Sequence, residues 1–552
     1  MLTNKEIAES FNLLAQLMEL HGEDDFKIRS YSNAYRILKN EEANLAVMNL
    51  FELKQLKGIG DAIGNKIIEL QKIGKMRVLE EFIAKTPPGV IKLFSIKGLG
   101  MKKISILWKE LEIESPGELL YACNENRLIS HKGFGAKTQQ NIKEQLEYYF
   151  QSEEKYKWAS VEQDAENILS EIEFLLDGAN VFVSGQFRRL LPVVDYLEFV
   201  VETLSMDSLL ASDYFIDLKQ VEMDVWDGRT KESKVKVRIY RANPGMGTVF
   251  LIESTGSVDL SHALLKPEKI KTYIGLSEEK IFELNKINYL APEIRDIPKI
   301  LLRKIPELIT TQDIKGVIHV HSTYSDGSSS LSELATYAKE MGYSYLGITD
   351  HSQSAFYANG LKPDRVKEQW AEIDKLNATF EGFKILKGIE SDIKHDGSLD
   401  YDDELLAGFD FVIASVHSGL KMDKEKATRR LIIAIENPFT SMLGHPTGRL
   451  LLSRMGYPID HKSVIEACVK NNVVIEINSN PLRLDLDYTW IDYAINKGVK
   501  FSINPDAHTK KGFHDIRYGI QVSRKGLMAK ENCINCLDVE DFLRSLRNNN
   551  PI

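Results

Sequence analysis

Apolar residues recur at helical spacing through the first 150 residues, then give way to short apolar runs over about the last 240. Ile7, Phe11, Leu14 and Leu17 share one helical face, as do Tyr31, Tyr35 and Leu38, so residues 1–150 predict an almost wholly helical region. From residue 313 seven runs read as strands: Val317–Val320, Tyr345–Thr349, Lys384–Ile389, Phe411–Val416, Thr440–Gly444, Val473–Ile477 and Val499–Ile503. Helical stretches lie between them, among them Ser330–Met341, opened by the capping pattern Ser330-x-x-Glu333, and Asp364–Phe380. Strand and helix in alternation imply parallel β/α construction, and seven repeats predict a closed or nearly closed barrel.

Each run contains or is closely followed by polar residues of ligand type. In order these are His319, His321 and Asp326, then Asp350 and His351, Glu390, His417, His445, Asn478, and finally Asp506 with His508. Metal-binding side chains placed repeatedly at strand ends suit a polynuclear site on one barrel rim. His319 and His321 are two apart on a predicted strand and leave the same face; Asp506 and His508 do likewise if the last run stays extended.

Three glycine pairs punctuate the helical front: Leu56-Lys57-Gly58-Ile59-Gly60, Ile96-Lys97-Gly98-Leu99-Gly100 and His131-Lys132-Gly133-Phe134-Gly135. The first glycine permits a left-handed turn. The second removes a side chain where a phosphate approaches the next helix N-terminus, whose N–H groups and dipole favour an anion. One such pair is weak evidence, since helix-to-helix turns often use glycine for steric reasons. Three copies, each with a lysine before the first glycine, predict helix-hairpin-helix units that grip DNA by its backbone.

Charge sharpens this expectation. With 70 basic and 80 acidic residues in 552 the chain carries a formal −10, so DNA binding must come from a local patch. Lys57, Lys97, Lys102, Lys103, Lys132 and Lys137 supply one. The length predicts several domains. Four cysteines make no disulfide framework, and Cys533-x-x-Cys536 lacks a second pair for a zinc site. No apolar run approaches membrane-spanning length and no signal peptide is evident, so the expectation is a cytoplasmic monomer with no membrane partner.

Tyr31-Ser-Asn-Ala-Tyr-Arg36, the glycine hairpins, Gly185-Gln-Phe-Arg-Arg189, Thr255-Gly-Ser257 and Gly444-His-Pro-Thr-Gly-Arg449 together resemble the family X DNA polymerases, the polymerase beta-like enzymes, in their bacterial form with a C-terminal PHP (polymerase and histidinol phosphatase) domain. The resemblance covers nearly the whole chain. It implies a multidomain fold: a small helical domain with a helix-hairpin-helix over 1–80, a fingers-like helix-hairpin-helix domain over 81–150, an α+β palm with a shortened thumb over 151–300, and a distorted (β/α)7 PHP barrel over 313–552.

One departure from the family bears on function. Its palm motif begins Gly-Ser, continues with two arginines and ends in Asp-x-Asp, with a third Asp on a later strand; these carboxylates hold the two metals of nucleotide addition. On this chain the Ser position is Gln186, the arginines are Arg188 and Arg189, the Asp pair falls on Tyr196 and Glu198, and the third Asp on Lys236, with the family arginine kept as Arg238. Tyrosine is a poor Mg²⁺ ligand, and lysine puts a positive charge where cations belong. Asp195 is no substitute, because three residues along a strand from Glu198 it leaves the opposite face. The expectation is a folded palm with polymerase activity absent or very weak, which touches DNA through Arg188 and Arg189. Lys66 falls at the family's Schiff-base lysine for lyase chemistry, with phosphate contact as the plainer role.

The resemblance also matches nine residues to the PHP metal-ligand pattern: His319, His321, Asp326, His351, Glu390, His417, His445, Asp506 and His508. Nine ligands suit three divalent ions, and mixed imidazole and carboxylate ligation fits Mn²⁺ or Zn²⁺, with Fe²⁺ a third option, better than Mg²⁺. Clustered metals activate water and stabilise a leaving oxygen, so phosphoester hydrolysis is expected. Arg449 and Lys362 are candidate phosphate clamps, and Asp350 a residue that orients a ligand. The leading expectation is a DNA-repair nuclease with 3′-to-5′ exonuclease activity on gapped, recessed or damaged DNA; AP endonuclease and 3′-phosphatase chemistry are close to it. The alternatives are a gap-filling polymerase, a small-molecule phosphatase and a pure binding module.

Overall fold

The computed structural model describes residues 4–39, 41, 43–56, 58–96, 98–151 and 155–546. Lys57 and Lys97, two of the lysines expected at DNA, lie outside them. The chain gathers into two compact units where the sequence suggests four domains: Met1–Cys123 with Leu128–Leu146, and Asn124–Arg127 with Glu147–Ile552.

In the first unit the three glycine pairs share one geometry. Gly58, Gly98 and Gly133 have φ of +96°, +91° and +96°, left-handed values that a side chain disfavours. Gly60 and Gly100 cap the helices Asp61–Ile73 and Met101–Lys109 in extended backbone, and Gly135 immediately precedes Ala136–Gln151. Among the described residues, and apart from its chain neighbours, no heavy atom lies within 4 Å of where a Cβ would stand on Gly60, Gly98, Gly100, Gly133 or Gly135, which leaves the helix amides open to an anion. Ile59, Leu99 and Phe134, between the glycines, are buried and anchor each turn. Lys102, Lys132 and Lys137 are exposed beside these turns, and Lys103 lies 5.9 Å from the Phe134 ring centroid. Lys66 is half-buried with its ammonium 5.6 Å from the Tyr31 ring.

The second unit opens with a five-stranded sheet. Its strands are Val181–Ser184 (β1), Leu197–Glu202 (β2), Phe215–Glu222 (β3), Val225–Thr230 (β4) and Lys236–Ala242 (β5), in the order β1-β2-β5-β4-β3. Only β2 and β5 pair in parallel, with Glu198 opposite Arg238. The altered palm positions meet here. The Tyr196 ring has the Lys236 ammonium at 5.4 Å and the Arg238 guanidinium at 4.5 Å from its centroid, and Arg238 forks onto Asp227 with two 2.7 Å bonds. Asp195 is not on one strand with Glu198, as the sequence suggested. It precedes β2, where its carboxylate accepts from Gln186 Nε2 at 3.0 Å. Arg188 and Arg189, expected to touch DNA, are engaged within the fold: Arg188 donates to Glu278 and Arg189 to the Ser254 and Thr255 carbonyls.

Glu198 is buried against Gly185, whose φ of +62° and missing Cβ make room for its carboxyl. Burial pushes its pKa from 4.5 up to about 7, against the pull of Arg189 and Arg238. The unfolded chain therefore ionises first as pH rises. The folded state loses stability between pH 4.5 and about pH 7 and the deficit stays constant above. Glu198→Gln removes this cost: denaturant melts are expected to show the variant gaining on wild type by about 3 kcal/mol between pH 4.5 and pH 8, and a constant difference across that range would refute it.

The seven predicted barrel strands all form, as Gly316–Val320 (β6), Tyr345–Ile348 (β7), Lys384–Asp392 (β8), Phe411–Ser415 (β9), Met442–Leu443 (β10), Val474–Asn478 (β11) and Phe501–Asn504 (β12). They pair in sequence order and all in parallel. Reciprocal bonds from His321 N to Ala507 O and from Ala507 N to His319 O close β6 onto the chain after β12. Palm and barrel share one apolar cluster, running from Tyr156 to Cys533. Buried Lys525 reinforces it, donating to the Glu293 carbonyl at 2.8 Å and the Arg189 carbonyl at 3.2 Å. Cys533 and Cys536 are free thiols, the first buried. Among the described residues no helix is long and apolar enough to cross a membrane.

Candidate metal centre

Six histidines and three carboxylates from successive strand ends converge on one rim of the barrel. Glu390, on β8, stands at the middle. Its Oε1 lies 3.2 Å from His319 Nε2, 3.1 Å from His417 Nε2 and 3.0 Å from His445 Nε2, and its Oε2 lies 2.9 Å from His351 Nδ1. Asp506 Oδ1 faces His321 Nε2 at 3.2 Å and His319 Nε2 at 3.5 Å. Asp326 reaches His508 Nε2 at 3.4 Å and His351 Nε2 at 3.6 Å. Three overlapping sets result, each with donor atoms within 4.8 Å of one another: His321, Asp326, His351 and His508; His319, His321 and Asp506; and His351, Glu390 and His417.

The backbone brings these groups together in a way the strand pattern did not foresee. His319 has φ +61° and the β6–β7 register shifts around it, so it does not share an extended strand with His321. The last run likewise ends at Asn504, and Asp506 has φ +52°. Left-handed backbone at non-glycine residues concentrates at functional sites, where the surrounding structure holds it.

The donor set suits divalent cations. His319 Nε2, His321 Nδ1, Asp326 Oδ2, His351 Nδ1, Glu390 Oε2, His445 Nδ1 and His508 Nε2 are all buried without a hydrogen-bond partner. Buried polar atoms are ordinarily paired, and seven ligand-type orphans facing one another fit a site that metal ions complete. The electrostatics agree. Burial works against charge on Glu390, yet the surrounding histidines hold its carboxyl well below the usual range. Burial likewise opposes charge on His417, but Glu390 and Asp392 lift it to about 10. Where burial and the neighbouring His508 and His351 dominate, His321 falls to about 3. Glu390, Asp326 and Asp506 are all held ionised by the histidines around them, which favours positive charge in their midst.

Residues outside the predicted set position the histidines. Glu476 binds His319 Nδ1 and accepts from His445 N at 2.7 Å, while Asp392 sits 2.5 Å from His417 Nδ1. With Nδ1 held by a carboxylate, each ring turns Nε2 to the centre, the usual outer support of a metal-bound histidine. Glu476 is visible in the sequence as an acid inside an apolar strand, and Asp392 as the same-face neighbour of Glu390. Asp350 accepts from Ser322 N at 2.7 Å, Ser322 Oγ at 2.6 Å and Gln369 Nε2 at 2.6 Å, fixing the loop between His321 and Asp326. Arg449 is no phosphate clamp, being bound to Asp487 and to the Arg483 and Leu484 carbonyls. Lys362 is exposed next to Leu361, whose N–H donates to the His351 carbonyl at 2.8 Å. Glu125, which carried no sequence signal, lies with its Oε2 2.6 Å from His508 Nε2.

Two regions of the chain match known domain families. Residues 2–76 match the helix-hairpin-helix domain and residues 318–480 the PHP domain. The DNA polymerase/3′-5′ exonuclease PolX of Bacillus subtilis (strain 168) is 33% identical, over 98% of this chain and 99% of its own length. A probable phosphatase of Thermoanaerobacter sp. (strain X514) is 30% identical over 39% of this chain and 88% of its own. One from Caldanaerobacter subterraneus subsp. tengcongensis is 32% identical over 34% of this chain and 74% of its own.

Proposed function

Because this chain belongs to the PolX family of DNA polymerase/3′-5′ exonucleases, we propose that it is a metal-dependent DNA phosphodiesterase that removes nucleotides from 3′ ends through its barrel, and that its palm no longer polymerises. The observation that carries the reading is the convergence of nine ligand-type side chains, seven of them with orphaned buried atoms, on one barrel rim. Three divalent ions, Mn²⁺ or Zn²⁺ by the mixed donor set, would be held by His319, His321, Asp326, His351, Glu390, His417, His445, Asp506 and His508. Bound there, they would polarise the phosphoester and lower the pKa of the attacking water.

The chain's own groups do the rest. Glu476 and Asp392 fix ring orientation, Asp350 holds the Asp326 loop, and Lys362 is available to a phosphate at the rim. The glycine turns with Lys102, Lys132 and Lys137 hold the DNA backbone without reading bases. In the palm, Lys236 and Arg238 fill the space around Tyr196 with positive charge and leave Glu198 as the one carboxylate at the three motif positions, which argues against nucleotide addition. Cleavage beside abasic sites and removal of 3′-phosphates use the same chemistry and fall within the reading. The probable phosphatases that match 39% and 34% of this chain favour a second reading, hydrolysis of small phosphomonoesters.

A nuclease assay on gapped and 3′-recessed DNA with added Mn²⁺ tests the proposal. Stepwise 3′ shortening is expected from wild type, none from His319→Ala, and no extension of the primer when deoxynucleotides are supplied. Equal cleavage by both proteins would sink the barrel assignment, and turnover of small phosphomonoesters without DNA cleavage would establish the second reading.

A further inference from the structure

We propose that Glu125 is a tenth ligand of this centre, holding an ion together with Asp506 and His508, so that the complete site includes a residue from outside the barrel. The proposal rests on the metal-dependent reading above and extends it.

Asn124–Arg127 belongs to the same compact unit as the barrel. Glu125 is 4% exposed, and its donor atom lies within 4.8 Å of those of both Asp506 and His508. A carboxylate this deeply buried needs a counter-charge or hydrogen-bond donors, since leaving it unpaired costs several kcal/mol. Its near neighbour is His508 Nε2 at 2.6 Å, an atom without hydrogen-bond geometry to any partner. The other ring nitrogen, Nδ1, lies 3.1 Å from the Asp506 carbonyl, which can only accept. With the ring proton used on Nδ1, Nε2 presents a lone pair towards a carboxylate. Two lone-pair atoms this close share a proton when no ion is bound, and a cation ligated by both would replace that proton.

A histidine that ligates through Nε2 cannot also donate from it. The alternative partner of Glu125, a protonated His508, therefore disappears when the site fills, and the ion itself becomes the counter-charge. A second contact pins the segment: the Arg127 guanidinium lies 4.2 Å from the centroid of Tyr357, whose ring meets that of candidate ligand His351 edge-on at 6.3 Å.

Metal content decides the matter. Full-length wild type, Glu125→Gln and Glu125→Ala are stripped with chelator, titrated with Mn²⁺ and followed by calorimetry, with bound metal counted by mass spectrometry and folding checked by circular dichroism. In both variants one Mn²⁺ equivalent is expected to weaken by about tenfold or more while the others keep their affinity, and Glu125→Asp, which keeps the carboxylate, should recover part of the loss. Unchanged stoichiometry and affinity in folded Glu125→Gln and Glu125→Ala would overturn the tenth ligand and leave the nuclease reading intact. A wild type that binds neither Mn²⁺ nor, in a parallel titration, Zn²⁺ would overturn both.

Discussion

Glu390→Gln is expected to lower the rate of 3′ nucleotide removal by about a thousandfold and to cut the metal content of the purified protein. The substitution keeps the side chain's size and removes only its charge. Glu390 is the group that touches the largest number of candidate ligands, facing His319, His351, His417 and His445 within 3.2 Å. Its carboxylate is ionised despite complete burial because those rings surround it. An amide at this place offers a weaker oxygen and an NH₂ pointed at nitrogen atoms that should ligate. Bound divalent ions contribute several kcal/mol to charge stabilisation in phosphoester hydrolysis, and about 4 kcal/mol is three orders of magnitude in rate. The measurement is single-turnover digestion of a labelled 3′-recessed duplex at saturating Mn²⁺, alongside metal analysis. Retention of more than about a tenth of the wild-type rate would show that Glu390 does not ligate the ions the reaction uses.

The second large effect lies away from the barrel rim. Glu278→Gln is expected to destabilise the second unit by about 3–5 kcal/mol. Glu278 accepts from Arg188 Nη1 at 3.0 Å and from Arg295 Nη2 at 3.3 Å, with further contacts from the other nitrogen of each guanidinium. Arg295 is wholly buried, its guanidinium within about 5.5 Å of the Phe282 and Tyr289 ring centroids. Burial disfavours charge on Glu278, and the two arginines outweigh it and hold its pKa below the ordinary value. Neutralising the carboxylate leaves a buried guanidinium without its counter-ion, and removing one partner of such a pair is far costlier than the pair is worth. Guanidinium denaturation followed by tryptophan fluorescence reads it, with Trp158 and Trp226 both in the palm cluster. A loss under 1 kcal/mol would show that water reaches Arg295.

Both effects bear on what the middle of the chain has become. Arg188 and Arg189 survive from a motif that serves nucleotide addition in the family, yet one is tied to Glu278 and the other to backbone carbonyls and Asp296. The palm shares its apolar cluster with the barrel and is fixed to it by Lys525 and by the Arg524–Glu293 bond at 2.7 Å.

The sequence by itself determined the β/α repeat, the three glycine turns, the nine ligand-type positions and the residues Tyr196, Glu198 and Lys236 that stand at the palm-motif positions. These are local facts. Apolar periodicity, a glycine's left-handed turn and the identity of a side chain at a motif position depend on neighbours a few residues away, so they can be read along one dimension. Only the tertiary structure decided which polar groups meet. Glu476 and Asp392 became supports for His319 and His417, Arg449 was drawn to Asp487, and Glu125 came to His508 from 383 positions away in the chain. It also replaced the simple alternation expected of His319 with a left-handed residue and a register shift. These outcomes depend on which buried charges find partners once the barrel closes. That is set by distances across the fold, which spacing along the chain does not encode.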